Sequence, residues 1–158
     1  MSQQSLKVLL VLASALVLLA VVAPVLANGA QVTSGAFRTF ASGPALGYEI
    51  SGRAQMERTA AGTTLVQVHV TGLRPGVSYG VHVHNLPCGV SNGGGHYQNV
   101  VGGPVDAANE IWPAFTSNEA GVGNGNAEHA FTARPEAQAI VVHDPDAGNA
   151  RIACADLQ

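Results

Sequence analysis

Apolar and polar residues alternate with a period of two along much of the chain, the mark of strands with one buried face. Between 63 and 71, Val66, Val68 and Val70 fall on one side while Leu65, Gln67 and His69 fall on the other. Gly72-Leu73-Arg74-Pro75-Gly76 supplies turn chemistry and hands over to a second alternating stretch at 78–84. β-Branched or alternating residues bounded by Gly, Pro or Ser also predict strands at 32–42, 47–57, 111–117, 126–133, 137–143 and 150–154. No stretch carries an amphipathic helical period. About eight short strands with turn-rich connections predict an all-β protein, an antiparallel sandwich or barrel. The segment 85–110 breaks the pattern. It is long, Gly-rich and poor in alternation, a structured loop placed to carry function.

The amino end has a different order. Residues 8–23 carry no charge, follow Lys7, and lead into Pro24-Val25-Leu26-Ala27. A basic end, an apolar run, a breaker and small residues before a cut after Ala27 make a secretory signal. The competing reading is an uncleaved anchor, since 8–27 is just long enough to span a bilayer. Pro24 favours cleavage because it keeps the peptidase segment extended. The expected organisation is a signal over 1–27 and one exported domain over 28–158, with no membrane contact beyond the signal.

Composition adds two exclusions and one pairing. The 158 residues suit a single domain, and a net charge of -3 with no run of Lys or Arg leaves no electrostatic footprint for nucleic acid or anionic lipid. Removing 1–27 takes away the only lysine and leaves six arginines against ten acids, a net charge of -4. Cys88 and Cys154 are the only cysteines, so an oxidising compartment offers them one pairing; two unpaired buried thiols are the alternative.

Histidine carries the candidate chemistry. His82 and His84 stand at i and i+2 of a predicted strand, on one face and about 7 Å apart at the backbone. Alone this is a weak signal, but His96 lies in the Gly-rich loop and His143 closes an apolar strand. An imidazole-only set suits copper or zinc, with copper(II) bound more tightly by intrinsic affinity.

Gly80-Val81-His82-Val83-His84, Cys88, Gly94-Gly95-His96-Tyr97, Val141-Val142-His143-Asp144 and Arg151-Ile152-Ala153-Cys154 resemble, in order and context, the copper/zinc superoxide dismutase family. The turn at 72–76 and the segment Asn109-Glu110-Ile111-Trp112 are similar too, and the resemblance runs from about Thr33 to Leu157. It implies a Greek-key β-sandwich or barrel, with His82, His84, His96 and His143 as copper ligands and a Cys88–Cys154 disulfide. It also implies that Arg151 guides an anionic substrate, superoxide. A rim ion pair of Arg151 with Asp144 or Asp146 is the plainer expectation.

Two departures refine the resemblance. No histidine lies between Tyr97 and Gly121, where zinc-containing members complete their zinc site, and His69 and His129 fall in predicted strands as surface or packing residues. Only seven residues separate His143 from Arg151, where those members insert a long charged loop. Both features resemble the copper-only branch, so copper is expected and zinc is not. Such members hold the loop histidine through a carboxylate. Glu110 is the expected partner of His96, with Asp106 the other acid in reach. The implied activity is conversion of superoxide to O2 and H2O2, with His96 releasing copper in the reduced state and delivering a proton. A non-catalytic copper-buffering protein on the same fold is the alternative, and a purely structural secreted domain is a third.

Overall fold

A computed structural model describes residues 29–158, so the expected signal at 1–27 lies outside the described residues. The chain forms β1 (Gln31–Ala36), β2 (Arg38–Thr39), a one-turn helix α1 (Ser42–Ala45), β3 (Ser51–Arg58), β4 (Thr64–Thr71), β5 (Ser78–His84), β6 (Phe115–Thr116), β7 (Gly123–His129), β8 (Ala139–Asp144) and β9 (Ala150–Asp156). Two antiparallel sheets result. One has the order β1-β3-β4-β7 and the other β2-β9-β8-β5-β6, which is the all-β architecture expected from the alternation.

The core lies between the sheets. Met56, Val66, Val68 and Val70 from the first meet Tyr79, Val81, Val83, Ile140, Val142 and Ile152 from the second. In β4 the valines are buried while Gln67 and His69 are exposed, as the period of two requires. β8 departs from this rule, because all six of its residues are buried. Its outer face lies under the loop at 85–110, where Ala139, Val141, Cys88, Cys154 and Phe40 form a second, smaller apolar cluster.

Four predicted strands are redrawn. The stretch 32–42 serves both sheets, as β1 and β2, and ends in α1 instead of continuing as a strand. Buried Phe37 marks the switch, where its N–H donates to Gly52 O at 3.0 Å. The sheets come so close here that a Cβ on Gly35 would lie 1.8 Å from Asp156 O. Such corners are made by strands that change sheets. The stretch 111–117 contracts to β6, since Pro113 has no N–H for a ladder and the carbonyl of Ile111 accepts from Val83 N instead, at 3.0 Å. The expected strand at 126–133 begins earlier, at Gly123, and ends at His129, because two glycines that weaken strand propensity pair there with β4. β3 likewise starts at Ser51 and not at 47, with Gly47 in a positive-φ turn after α1.

Cys88 and Cys154 form a disulfide between the loop and β9, with Cα atoms 5.8 Å apart. This pairing fits an oxidising compartment. Closing 66 residues of sequence separation removes unfolded-state freedom worth roughly 4 kcal/mol. Replacing both cysteines by alanine is expected to lower the unfolding free energy by about that amount, read from urea midpoints. An unchanged midpoint would contradict the tether's contribution.

Candidate metal centre

β5 divides its side chains between two faces. Tyr79, Val81 and Val83 enter the core, so Gly80, His82 and His84 face outward, beneath the loop. β8 lies alongside in antiparallel register, with His143 opposite Gly80 and Ala139 opposite His84. The other edge of β5 is covered by β6 only at Ser78 and Tyr79. Further along it, the loop supplies the pairing: Tyr97 N donates to Val83 O at 2.8 Å, Asn85 N donates to Gly95 O at 2.9 Å, and His96 bridges to His84. Gly94 makes this return possible. It has φ +70°, and a Cβ there would lie 2.5 Å from Asn85 Oδ1.

Four imidazoles meet as a result. His82, His84, His96 and His143 each offer a ring nitrogen, and these atoms all lie within 4.8 Å of one another. Metal–nitrogen bonds of about 2 Å place two ligand nitrogens no more than about 4 Å apart, so the set needs only slight contraction to close on one ion. Among the described residues no other group of His, Cys, Asp or Glu converges in this way.

Hydrogen bonding decides which nitrogen each ring turns inward. His84 Nδ1 lies 3.3 Å from Gly94 O and His143 Nδ1 lies 3.1 Å from Asn149 O. A carbonyl only accepts, so both Nδ1 atoms carry the proton and both Nε2 atoms present lone pairs. Those Nε2 atoms stand 3.3 Å apart, and two bare lone pairs cannot bond each other. A shared cation resolves the conflict. Buried His82 Nδ1, which has no hydrogen-bond partner, adds a second deficiency that a metal would satisfy. Protonation is the poorer remedy: burial first, then the fields of His96 and His143, push His82 and His84 down to about 3. Burial also lowers His143.

His96 is held differently. Its Nδ1 donates to Glu110 Oε2 at 2.7 Å, and the Glu110 side chain is only 1% exposed. The same carboxylate accepts from Trp112 Nε1 at 2.9 Å and from Gln98 Nε2 at 3.3 Å. Burial alone would raise its pKa, but the hydrogen bonds from Trp112, His96 and Gln98 outweigh it and hold Glu110 below the ordinary carboxylate range. Asp106 is used elsewhere, accepting from the N–H groups of Ala108 and Asn109 at 3.0 Å each. The sequence carries Trp112 only as part of a familiar segment, and no periodicity marks Gln98 as its companion.

Arg151 lies on β9 opposite His143. It forms no ion pair with Asp144 or Asp146; its Nη1 donates to the carbonyls of Ser91 and Asn92 at 3.2 and 2.9 Å. Both acids belong to Arg74, which bonds buried Asp144, lies 3.4 Å from Asp146 and donates from Nε to Tyr48 Oη at 2.6 Å. His69 and His129 stand apart from the cluster, on the other sheet. His69 bonds Asn124 at 2.8 Å, and His129 packs against Phe131.

No known family model matches the chain, and no curated protein matches it.

Two outcomes test the geometry. Glu110→Gln removes the anionic acceptor, and affinity for Cu(II) or Zn(II) is expected to fall about 10- to 100-fold in chelator competition; unchanged affinity would mean that His96 is oriented by other groups. The second concerns acid. Unfolded histidines titrate near 6.5 while His82 and His84 resist protonation to about 3, so the unfolded state binds more protons between those values. Stability of the metal-free protein must therefore fall as pH drops through that window, by at most about 1.4 kcal/mol per pH unit for each ring. Urea midpoints from pH 8 to 4 check this, and His84→Gln should flatten the slope.

Proposed function

We propose that this chain is an exported, copper-dependent superoxide dismutase of the zinc-lacking kind. The observation that carries the reading is the convergence of four histidines around one point, with His96 tied to a buried carboxylate. When bound there, copper supplies a one-electron couple that takes an electron from one superoxide, giving O2, and returns it to a second, giving H2O2 with two protons.

The chain's own residues do the rest. His84 and His143 are 0% and 6% exposed, whereas His82 and His96 are both half-buried, so a small anion approaches from the side of those two rings. Glu110 keeps the proton on His96 Nδ1, and proton exchange with solvent accordingly runs through Nε2. Arg151 uses Nη1 for the carbonyls of Ser91 and Asn92, which leaves Nη2 and Nε to receive an anion beside His143. The absence of histidine from 98 to 128 supports a centre without zinc.

Metal content of the purified chain, followed by superoxide turnover after copper loading, tests the reading. One copper per chain and turnover are expected. Copper bound without turnover would favour the buffering alternative, and no copper bound would overturn both. Within the first outcome, Arg151→Glu is expected to lower the second-order rate at least about tenfold and Arg151→Lys only a few-fold. Equal losses would refute the guiding role.

A further inference from the structure

Trp112 touches both arms of the histidine cluster. On one side its indole N–H donates to Glu110 Oε2, the oxygen that also holds His96 Nδ1. On the other its ring meets that of His82 edge-on, with centroids 5.5 Å apart and planes at 66°. His82 and His96 are themselves the closest pair of rings in the cluster, at 4.1 Å.

The two arms need it for different reasons. His84, His96 and His143 are each oriented by a hydrogen bond on Nδ1, but His82 Nδ1 is buried without a partner, so no hydrogen bond at that nitrogen sets the ring's angle and packing matters more there. Its aromatic neighbours are His96, His143 and Trp112, and only Trp112 among these is not a ligand candidate. Glu110 likewise needs a second donor. A carboxylate serving His96 alone could rotate, whereas donors from Trp112 and Gln98 fix both of its oxygens. The indole is held in turn by the residue before it, where Ile111 O accepts from Val83 N of β5 and Ile111 is fully buried.

We infer that Trp112 is the positioning residue of the metal centre, holding His96 through Glu110 and His82 by direct contact, and so setting the affinity and geometry of bound copper. This rests on copper occupying the cluster, not on turnover. Trp112→Phe keeps an aromatic edge on His82 and removes the N–H; Trp112→Leu removes both.

The experiment uses the full chain and Cu(II) alone. In the unsubstituted protein, quenching of emission from Trp112, the only tryptophan, reports binding. Affinities of all variants come from chelator competition, and their ligand fields from electron paramagnetic resonance. Trp112→Phe is expected to weaken Cu(II) about tenfold and shift the resonance spectrum, and Trp112→Leu to weaken it about 100-fold. In a Glu110→Ala background the Phe substitution should cost less than about twofold, because no side-chain acceptor is left at 110 to carry its effect to His96. Thermal melting of each metal-free variant separates a folding defect from a site defect. Unchanged Cu(II) affinity and spectrum in folded Trp112→Phe, or an undiminished loss in the Glu110→Ala background, would overturn the inference even where superoxide turnover is found. Weakened binding with a shifted spectrum supports it even where turnover is absent.

Discussion

Two lone pairs held face to face are the constraint from which the rest of this structure follows. The Nε2 atoms of His84 and His143 are kept at 3.3 Å because each ring's other nitrogen is committed to a backbone carbonyl. Neither carbonyl belongs to a sheet. Gly94 lies in the loop that returns along β5, and Asn149 lies in the turn between β8 and β9. The tautomers of the cluster are therefore decided by connecting segments, and the centre is only as well defined as those segments are rigid.

Each connector has its own restraint. The loop is tied covalently by Cys88–Cys154, and Arg151 anchors the turn at Ser91 and Asn92, two residues that adopt positive φ. Asn109 closes the far end with bonds to Val100 and Pro104, while Arg134 reaches the carbonyls of Gln98 and Asn99. The turn after β8 is held by Arg74 through Asp144. Ordering a residue costs roughly 1–2 kcal/mol of backbone entropy, so a connector of this length stays in one conformation only if many such contacts act together. The double burial of β8 belongs to the same arrangement, since the tethered loop covers its outer face.

Alternation along a strand records which residues are buried, and for that reason β4 and β5 were legible almost to the residue. It does not record which sheet a strand joins. The stretch around Phe37 reads as one strand although it serves two sheets, and β7 is obscured because glycines take positions that pairing with β4 alone makes strand-like. The candidate site divides along a similar line. His82 and His84 follow from spacing, His96 and His143 from their settings in the Gly-rich loop and at the end of an apolar strand, and Glu110 from resemblance; all five meet in the structure. The partner of Arg151 did not follow. Proximity in sequence suggested Asp144 and Asp146, but the turn after β8 points both acids toward Arg74, some 70 residues earlier, and a pairing across that distance leaves no local signal.

That exchange of partners bears on how an anion would reach the centre. Asp144 follows His143 directly and is buried, so an unpaired charge there would repel an anion at short range, where the protein interior screens poorly. Arg74 offsets it and leaves Arg151 free of acidic partners among the described residues. The domain as a whole still carries more acids than arginines, and only a short turn stands between His143 and Arg151. Long-range steering of such an anion would therefore be weak, and attraction would be confined to the few ångströms around Arg151 and a metal held by the histidines. Under the proposed reading, the turnover rate accordingly depends only mildly on ionic strength, because the charges that act on superoxide lie well within one screening length of the place where it reacts.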